Sequence, residues 1–157
     1  MNDKTSSEAL TVCEVKISYR PAVKPSERPL LNNSSGIYKL LVENEVFDPS
    51  TIEYREFFKV LLLNSANRLL GITHLSEGCI DQTIVDIRHI MQAAILANAT
   101  GIVLCHNHPS GNLQPSPPDD SMTENVRKAC NIFSIRLTDH LIISSENYYS
   151  YADEGRL

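Results

Sequence analysis

The stretch from Gly101 to Asp119 constrains the fold of this chain more than any other. Gly101-Ile102-Val103-Leu104 is an apolar run that reads as a short buried strand. Side chains alternate along a strand, so His106 and His108 project to the same side. Pro109 has no N–H to give to a ladder and ends the strand. Ser116 followed by Pro117 signals a helix start, a capping hydroxyl and then proline at the first helical position. The ten residues between His108 and Asp119 suffice for a loop that returns to the strand end. Asp119 then falls in the first turn of the new helix, aimed back at both imidazoles. Two neutral imidazoles and one carboxylate, with a position left for water, make a catalytic-zinc ligand set.

The rest of the chain supplies a sheet and helices around that strand. Residues 1–10 are polar and expected to be disordered. From Thr11 to Tyr19 the sequence alternates, with Cys13, Val15, Ile17 and Tyr19 on one face, as a half-buried edge strand does. Pro21, Pro25 and Pro29 mark an extended, non-helical arm, which Lys16, Arg20, Lys24 and Arg28 make mildly basic. A solvated charged arm is the simpler reading than a phosphate-binding strip. The expected organisation is a flexible arm over residues 1–30 and one domain over 31–157.

Ser34 and Ser35 can cap a helix with Ile37, Leu40 and Leu41 on one stripe. Phe57-Phe58-Lys59-Val60-Leu61-Leu62-Leu63 is nearly all apolar, which suits a central strand covered on both faces. The turn-like Asn64-Ser65-Ala66-Asn67 then predicts a hairpin, with the return strand over Leu69–Leu75 and Gly78 closing it. Asp86 is the expected N-cap of a helix running to about Asn98, its stripe formed by Ile87, Ile90, Met91, Ala94 and Ile95. A second helix runs from Pro117 to about Asn131 with Met122, Val126, Ala129 and Cys130 inward. The last strand covers about Ile135 to Ile143, and Tyr148, Tyr149 and Tyr151 cluster after it as packing residues. Strands interleaved with helices predict an α/β fold with a mixed sheet covered by helices.

Bulk properties bound the function classes. The net charge of −5 gives no general reason to expect nucleic acid, although a local basic patch is compatible with it. Cys13, Cys79, Cys105 and Cys130 fall in no ligand-like pair spacing. With no signal peptide, that spacing predicts reduced thiols in a cytoplasmic protein. No apolar stretch approaches membrane-spanning length.

His-x-His, ten residues, then Asp, with Ser116 three before the Asp and Pro109-Ser110-Gly111 after the second His, resembles the zinc motif of the JAMM (JAB/MPN) metalloproteases. It is most similar to the RadC-like JAB branch found in bacteria, from about Ser34 to the end. The likeness includes Asp139-His140-Leu141-Ile142-Ile143 and Tyr149-Ser150-Tyr151-Ala152-Asp153-Glu154-Gly155. The resemblance implies a three-layer α/β/α JAB/MPN fold and one Zn2+ held by His106, His108 and Asp119. It further implies hydrolysis of a peptide or isopeptide bond by metal-activated water, with Ser116 helping to hold the oxyanion. Many members of that branch carry an N-terminal helix-hairpin-helix segment, and this chain is expected to be a short form without it. The branch bears a DNA-repair label by association.

The family's proton carrier is a glutamate on a neighbouring strand, and in the RadC-like branch it lies four residues before a glycine. Counting back from Gly78 lands on His74, an imidazole in place of a carboxylate. His74 then has three possible parts: general base, fourth zinc ligand in a closed structural site, or a polar residue of no catalytic use. A slipped register would instead bring in Glu77, otherwise expected in the turn. The alternative function is therefore a weak or inactive JAB module that binds metal or a partner protein, with an oligomer possible. His89 reads as a surface or packing residue. His140 reads as structural or as a partner to a zinc ligand, and Cys105 as a small core residue. The loop over 109–118 reads as a stiff connector, with Ser110 and Asn112 at the entrance to the site.

Overall fold

The computed structural model describes residues 19–77 and 85–157. Most of the expected strand over 11–19, the polar start, Gly78, Cys13 and Cys79 lie outside the described residues. Helix α1 spans Ser34–Glu43, strand β1 Phe57–Leu63 and strand β2 Leu69–Glu77. Helix α2 spans Ile87–Leu96, β3 Gly101–Asn107, α3 Pro117–Ile132, β4 Arg136–Ile143 and β5 Tyr148–Ser150. Among the described residues the sheet has five strands in the order β2-β1-β3-β4-β5. Only β3 and β4 run parallel, joined across α3, and the other neighbours are antiparallel. The mixed sheet covered by helices is therefore present.

The two apolar runs form the middle of the sheet because both of their faces are covered. On one face Phe58, Val60, Leu62, Ile102 and Leu104 pack against Ile90 and Met91 of α2 and Val126 and Cys130 of α3. On the other, Leu61, Leu63, Val103 and Cys105 pack against Ile37 and Leu41 of α1. Lys59, in the middle of the β1 run, is also buried. Its Nζ donates to the Val46 carbonyl and lies 4.6 Å from the Phe47 ring centre, so its charge keeps a partner.

Several boundaries differ from the sequence reading, each for a local reason. The cap of α1 is Asn33, whose side chain accepts from the Gly36 N–H at 2.7 Å. Ser34 is instead the first helical residue, and its hydroxyl donates to Asp153 near the chain end. Asp86 does cap α2, accepting from Arg88 N. The proline arm is not wholly extended: Pro25–Glu27 form one 3-10 turn, which a proline in the first position permits. The following residues dock on the hairpin, where Leu31 N donates to Asn67 O and Leu69 N to Pro29 O. Tyr148–Ser150 form a fifth strand beside β4. No helix among the described residues is long and apolar enough to cross a membrane.

Leu104 is wholly buried at the centre of the sheet. Leu104→Ala should therefore lower unfolding free energy by about 2–5 kcal/mol. Urea denaturation at unchanged m-value measures this, and a loss below ~1 kcal/mol would mean that the centre of the sheet is looser than described.

Candidate metal centre

The strand that carries His106 stops at Asn107, and His108 follows as its first residue beyond the ladder. Both rings nevertheless stay on one side, with centroids 4.8 Å apart. The loop then turns at Gly111, whose φ of +73° is open to glycine at no steric cost. It re-enters as α3 through a capping box: Ser116 N and Ser116 Oγ donate to Asp119 Oδ2 at 2.7 and 2.6 Å, and Asp119 N donates to Ser116 Oγ. This box fixes the carboxylate rotamer towards the strand end. His106 Nε2 lies 3.0 Å from His108 Nε2 and 3.1 Å from Asp119 Oδ1, and His108 Nε2 lies 3.5 Å from Asp119 Oδ2. The three ligand atoms all fall within 4.8 Å of one another, so the structure brings His106, His108 and Asp119 together as a group able to hold a metal ion.

The donor chemistry of the group fits a cation. His108 Nδ1 lies 2.6 Å from the Asn112 backbone oxygen, which can only accept, so the ring proton sits on Nδ1. In the neutral ring Nε2 then carries a lone pair, and it points at another ring nitrogen and a carboxylate. Where His106 Nε2 carries a lone pair as well, the cluster needs a positive centre among its members, a proton or a metal ion. His106 is fully buried and its ring stacks on Phe58, 5.7 Å between centres and 6° between planes. His108 and Asp119 keep 15% and 14% of their side chains exposed, so the group opens to solvent on one side.

Asp119 is held ionised. Burial pushes its carboxyl up, but its contacts with the His106 and His108 rings and with the Ser116 hydroxyl outweigh that and bring it well below the ordinary carboxylate range. Burial works against a charged His108, yet hydrogen bonds to Asp119 and to the Asn112 carbonyl, with the charges of Asp119 and Glu56, raise its pKa.

Behind His106 stands His140. Its Nε2 lies 2.8 Å from His106 Nδ1 and its Nδ1 lies 2.6 Å from Thr123 Oγ1. In the β3–β4 ladder His140 pairs with Leu104, one step below His106 on the same face. It is fully buried, which keeps its pKa well below the usual imidazole value, and it stacks on Tyr151 at 4.9 Å. Asp139 alternates to the other face, where it accepts from Ser150 Oγ, His140 N and Ala152 N and ties down the chain end. Cys105 is buried on that second face, and His89 is exposed on α2.

His74 is not among the three residues of this group. In the β1–β2 ladder Phe58 pairs with Ser76 but Lys59 pairs with His74, because the register shifts between them. Lys59 faces the α1 side, and His74 lines an open pocket of about 550 Å³ there with Lys59, Val46 and Tyr54. A residue on that face cannot meet a ring that projects from the other. Glu77 ends β2 opposite Phe57 rather than lying in the turn. Ser116, expected to hold an oxyanion, has its hydroxyl proton committed to Asp119.

The carboxylate missed by the sequence reading is Glu56. The antiparallel β1–β3 ladder ends with Phe58 paired to His106, and Glu56 and His108 each lie two residues beyond that last pair. Glu56 is half-buried, and its charge acts on His108. Its backbone is clamped on both sides by the buried Asn107 side chain: Oδ1 accepts from Phe57 N at 2.7 Å and Nδ2 donates to Arg55 O at 2.7 Å and Ile52 O at 2.6 Å. The only sequence signal was its position two residues before Phe58. The strand partner that turns this parity into proximity lies about 50 residues away, as the Asn107 contact does.

Residues 31–156 match the RadC-like JAB domain family. The chain is 45% identical over 100 residues to a UPF0758 protein of Flavobacterium johnsoniae, covering 64% of this chain and 44% of that protein. It is 44% identical over 99 residues to a UPF0758 protein of Porphyromonas gingivalis, covering 62% and 44%. The match to one of Thermotoga maritima is 35% over 127 residues, covering 81% and 54%. The chain thus spans about half the length of these relatives.

His108 has a folded pKa above its unfolded value near 6.5. In metal-free protein its protonated ring therefore contributes stability that is complete below the unfolded value and is lost as pH rises through the folded one. Zinc affinity should move oppositely and increase over that window, because the ion competes with the proton. Thermal melts and zinc titrations between about pH 5.5 and 8, a range that brackets the imidazole pKa, check both trends. Zinc affinity that is flat with pH would remove His108 from the ligand set.

Proposed function

This chain belongs to the RadC-like JAB domain family, and we propose that it is a zinc-dependent hydrolase that cleaves an amide bond in a peptide or isopeptide substrate. The observation that carries the reading is the convergence of His106 Nε2, His108 Nε2 and the Asp119 carboxylate at a partly open site, with the charge of Glu56 acting on His108. Zinc is the ion that this ligand set favours, since two imidazoles and one carboxylate leave a fourth tetrahedral position vacant. When bound there it would supply Lewis acidity, polarising a carbonyl and lowering the pKa of water from 15.7 towards ~7.

The residues of the chain divide the remaining work. His106, His108 and Asp119 hold the ion, and Ser116 positions Asp119 through the capping box. Glu56 is a carboxylate without a role in the core, fixed through its neighbours by Asn107 and near enough for its charge to act on His108. It takes the proton from the attacking water and returns it to the amine nitrogen as the C–N bond breaks. Phe58, stacked on His106, keeps solvent away from the inner side of the group. Ser110 and Asn112 lie on the loop that flanks the exposed side of His108.

The test is peptide and isopeptide cleavage, screened with a fluorogenic library. Wild-type activity should vanish on chelation and return with zinc. Glu56→Gln should lower kcat by about 10²–10⁴-fold with zinc content unchanged. His74→Glu, on the other face, should leave the rate as it was. A Glu56→Gln protein as fast as wild type, or a gain of activity in His74→Glu, would refute the assignment of the base. Separately, Asn107→Ala leaves three backbone groups without this partner, the Ile52 carbonyl buried and the Phe57 N–H and Arg55 carbonyl partly so, and should cost about 2 kcal/mol of stability. It should also lower kcat more than Leu104→Ala does at matched temperature below the melt. Equal kcat losses would mean that the clamp is purely structural.

A further inference from the structure

The side chains behind the metal group have a hydrogen-bond order that chemistry can assign. Thr123 Oγ1 lies 2.7 Å from the Asp119 backbone oxygen and 2.6 Å from His140 Nδ1. A carbonyl only accepts, so the single hydroxyl proton of Thr123 goes to Asp119 O. His140 Nδ1 must then be the donor to Thr123 Oγ1. In the reverse order, oxygen lone pairs of Thr123 and Asp119 would face each other at 2.7 Å without a proton between them. A buried neutral imidazole carries one proton, so His140 Nε2 is left as an acceptor. The 2.8 Å contact is therefore a bond from His106 Nδ1–H to His140 Nε2, and the His106 Nε2 lone pair is left facing His108 and Asp119.

We infer that His140 and Thr123 are positioning residues that set the tautomer of His106, so that its Nε2 is presented to a metal ion before one arrives. This rests on the metal-binding reading of the site. The chain begins and ends on ligands, since it runs from His106 through His140 and Thr123 back to the Asp119 backbone. It couples the strand ligand to the helix ligand without passing through the ion. His140 is locked in plane for this part by Tyr151, whose ring is 10° from parallel to it. Tyr151 in turn donates to Asp120 at 2.8 Å.

Long-range 15N NMR of the histidine rings reads the assignment directly, first in metal-free protein. His106 should be the Nδ1–H tautomer and His140 the Nδ1–H tautomer as well. Thr123→Val should lose that order at His106 and weaken zinc affinity by about 10–100-fold. Thr123→Ser, which keeps the hydroxyl, should bind zinc within about threefold of wild type on the same scale. His140→Phe keeps the stack on Tyr151 and should match Thr123→Val in zinc affinity if it folds. An Nε2–H tautomer of His106 in wild type overturns the inference, as does a Thr123→Val protein with wild-type affinity and spectrum. If wild type binds no zinc while His106 shows the expected tautomer, the metal reading fails and the relay stands. If zinc binds but the tautomer is reversed, the relay alone fails.

Discussion

The site depends on a conflict of charge: two imidazole nitrogens and a carboxylate are held within contact distance, and one of the rings is wholly buried. Two lone pairs and an anion repel one another unless a cation lies between them. The fold enforces the approach from outside the cluster. Asn112 fixes one face of His108, Ser116 fixes Asp119, and the stack on Phe58 fixes the plane of His106. None of these contacts is relaxed by moving one side chain, which is why the arrangement reads as a binding site rather than a chance meeting of polar groups.

The sheet converts this local requirement into a global one. β3 is central, with β1 antiparallel on one side and β4 parallel on the other. The β1 ladder brings Phe58 to His106, and the β4 ladder brings His140 beneath it. The crossover through α3 brings Asp119 over the strand end. The opposite face of the same strands holds Cys105, Lys59 and Asp139, each with its own buried partners.

Much of this was legible from the residues alone. The alternation that puts His106 and His108 together, the proline that ends the strand and the Ser-Pro that opens α3 are local signals, and each has a local physical cause. The doubly covered β1 and β3 were readable for the same reason, since a continuous apolar run has few other places to go. What a sequence carries poorly is pairing. Counting along one strand reaches His74, and the register shift opposite Phe58 and Lys59 turns that residue to the α1 face. Glu56 acts on His108 from the segment just before β1, and only the β1–β3 pairing brings that segment to the end of β3. The cap of α1 fell one residue early because asparagine and serine compete for that role and Ser34 is taken by Asp153. The strand at Tyr148–Ser150 was read as aromatic packing, since three residues carry too short a pattern to declare a period.

The convergence of the three ligands on one ion is best tested by cobalt substitution of metal-stripped protein, followed by visible absorption. One Co2+ per chain should bind with the intense d–d bands of a four-coordinate site, and Asp119→Ala should lose both the bands and the tight binding. Protein that takes up no cobalt, or an Asp119→Ala variant with the wild-type spectrum, would contradict the site as described.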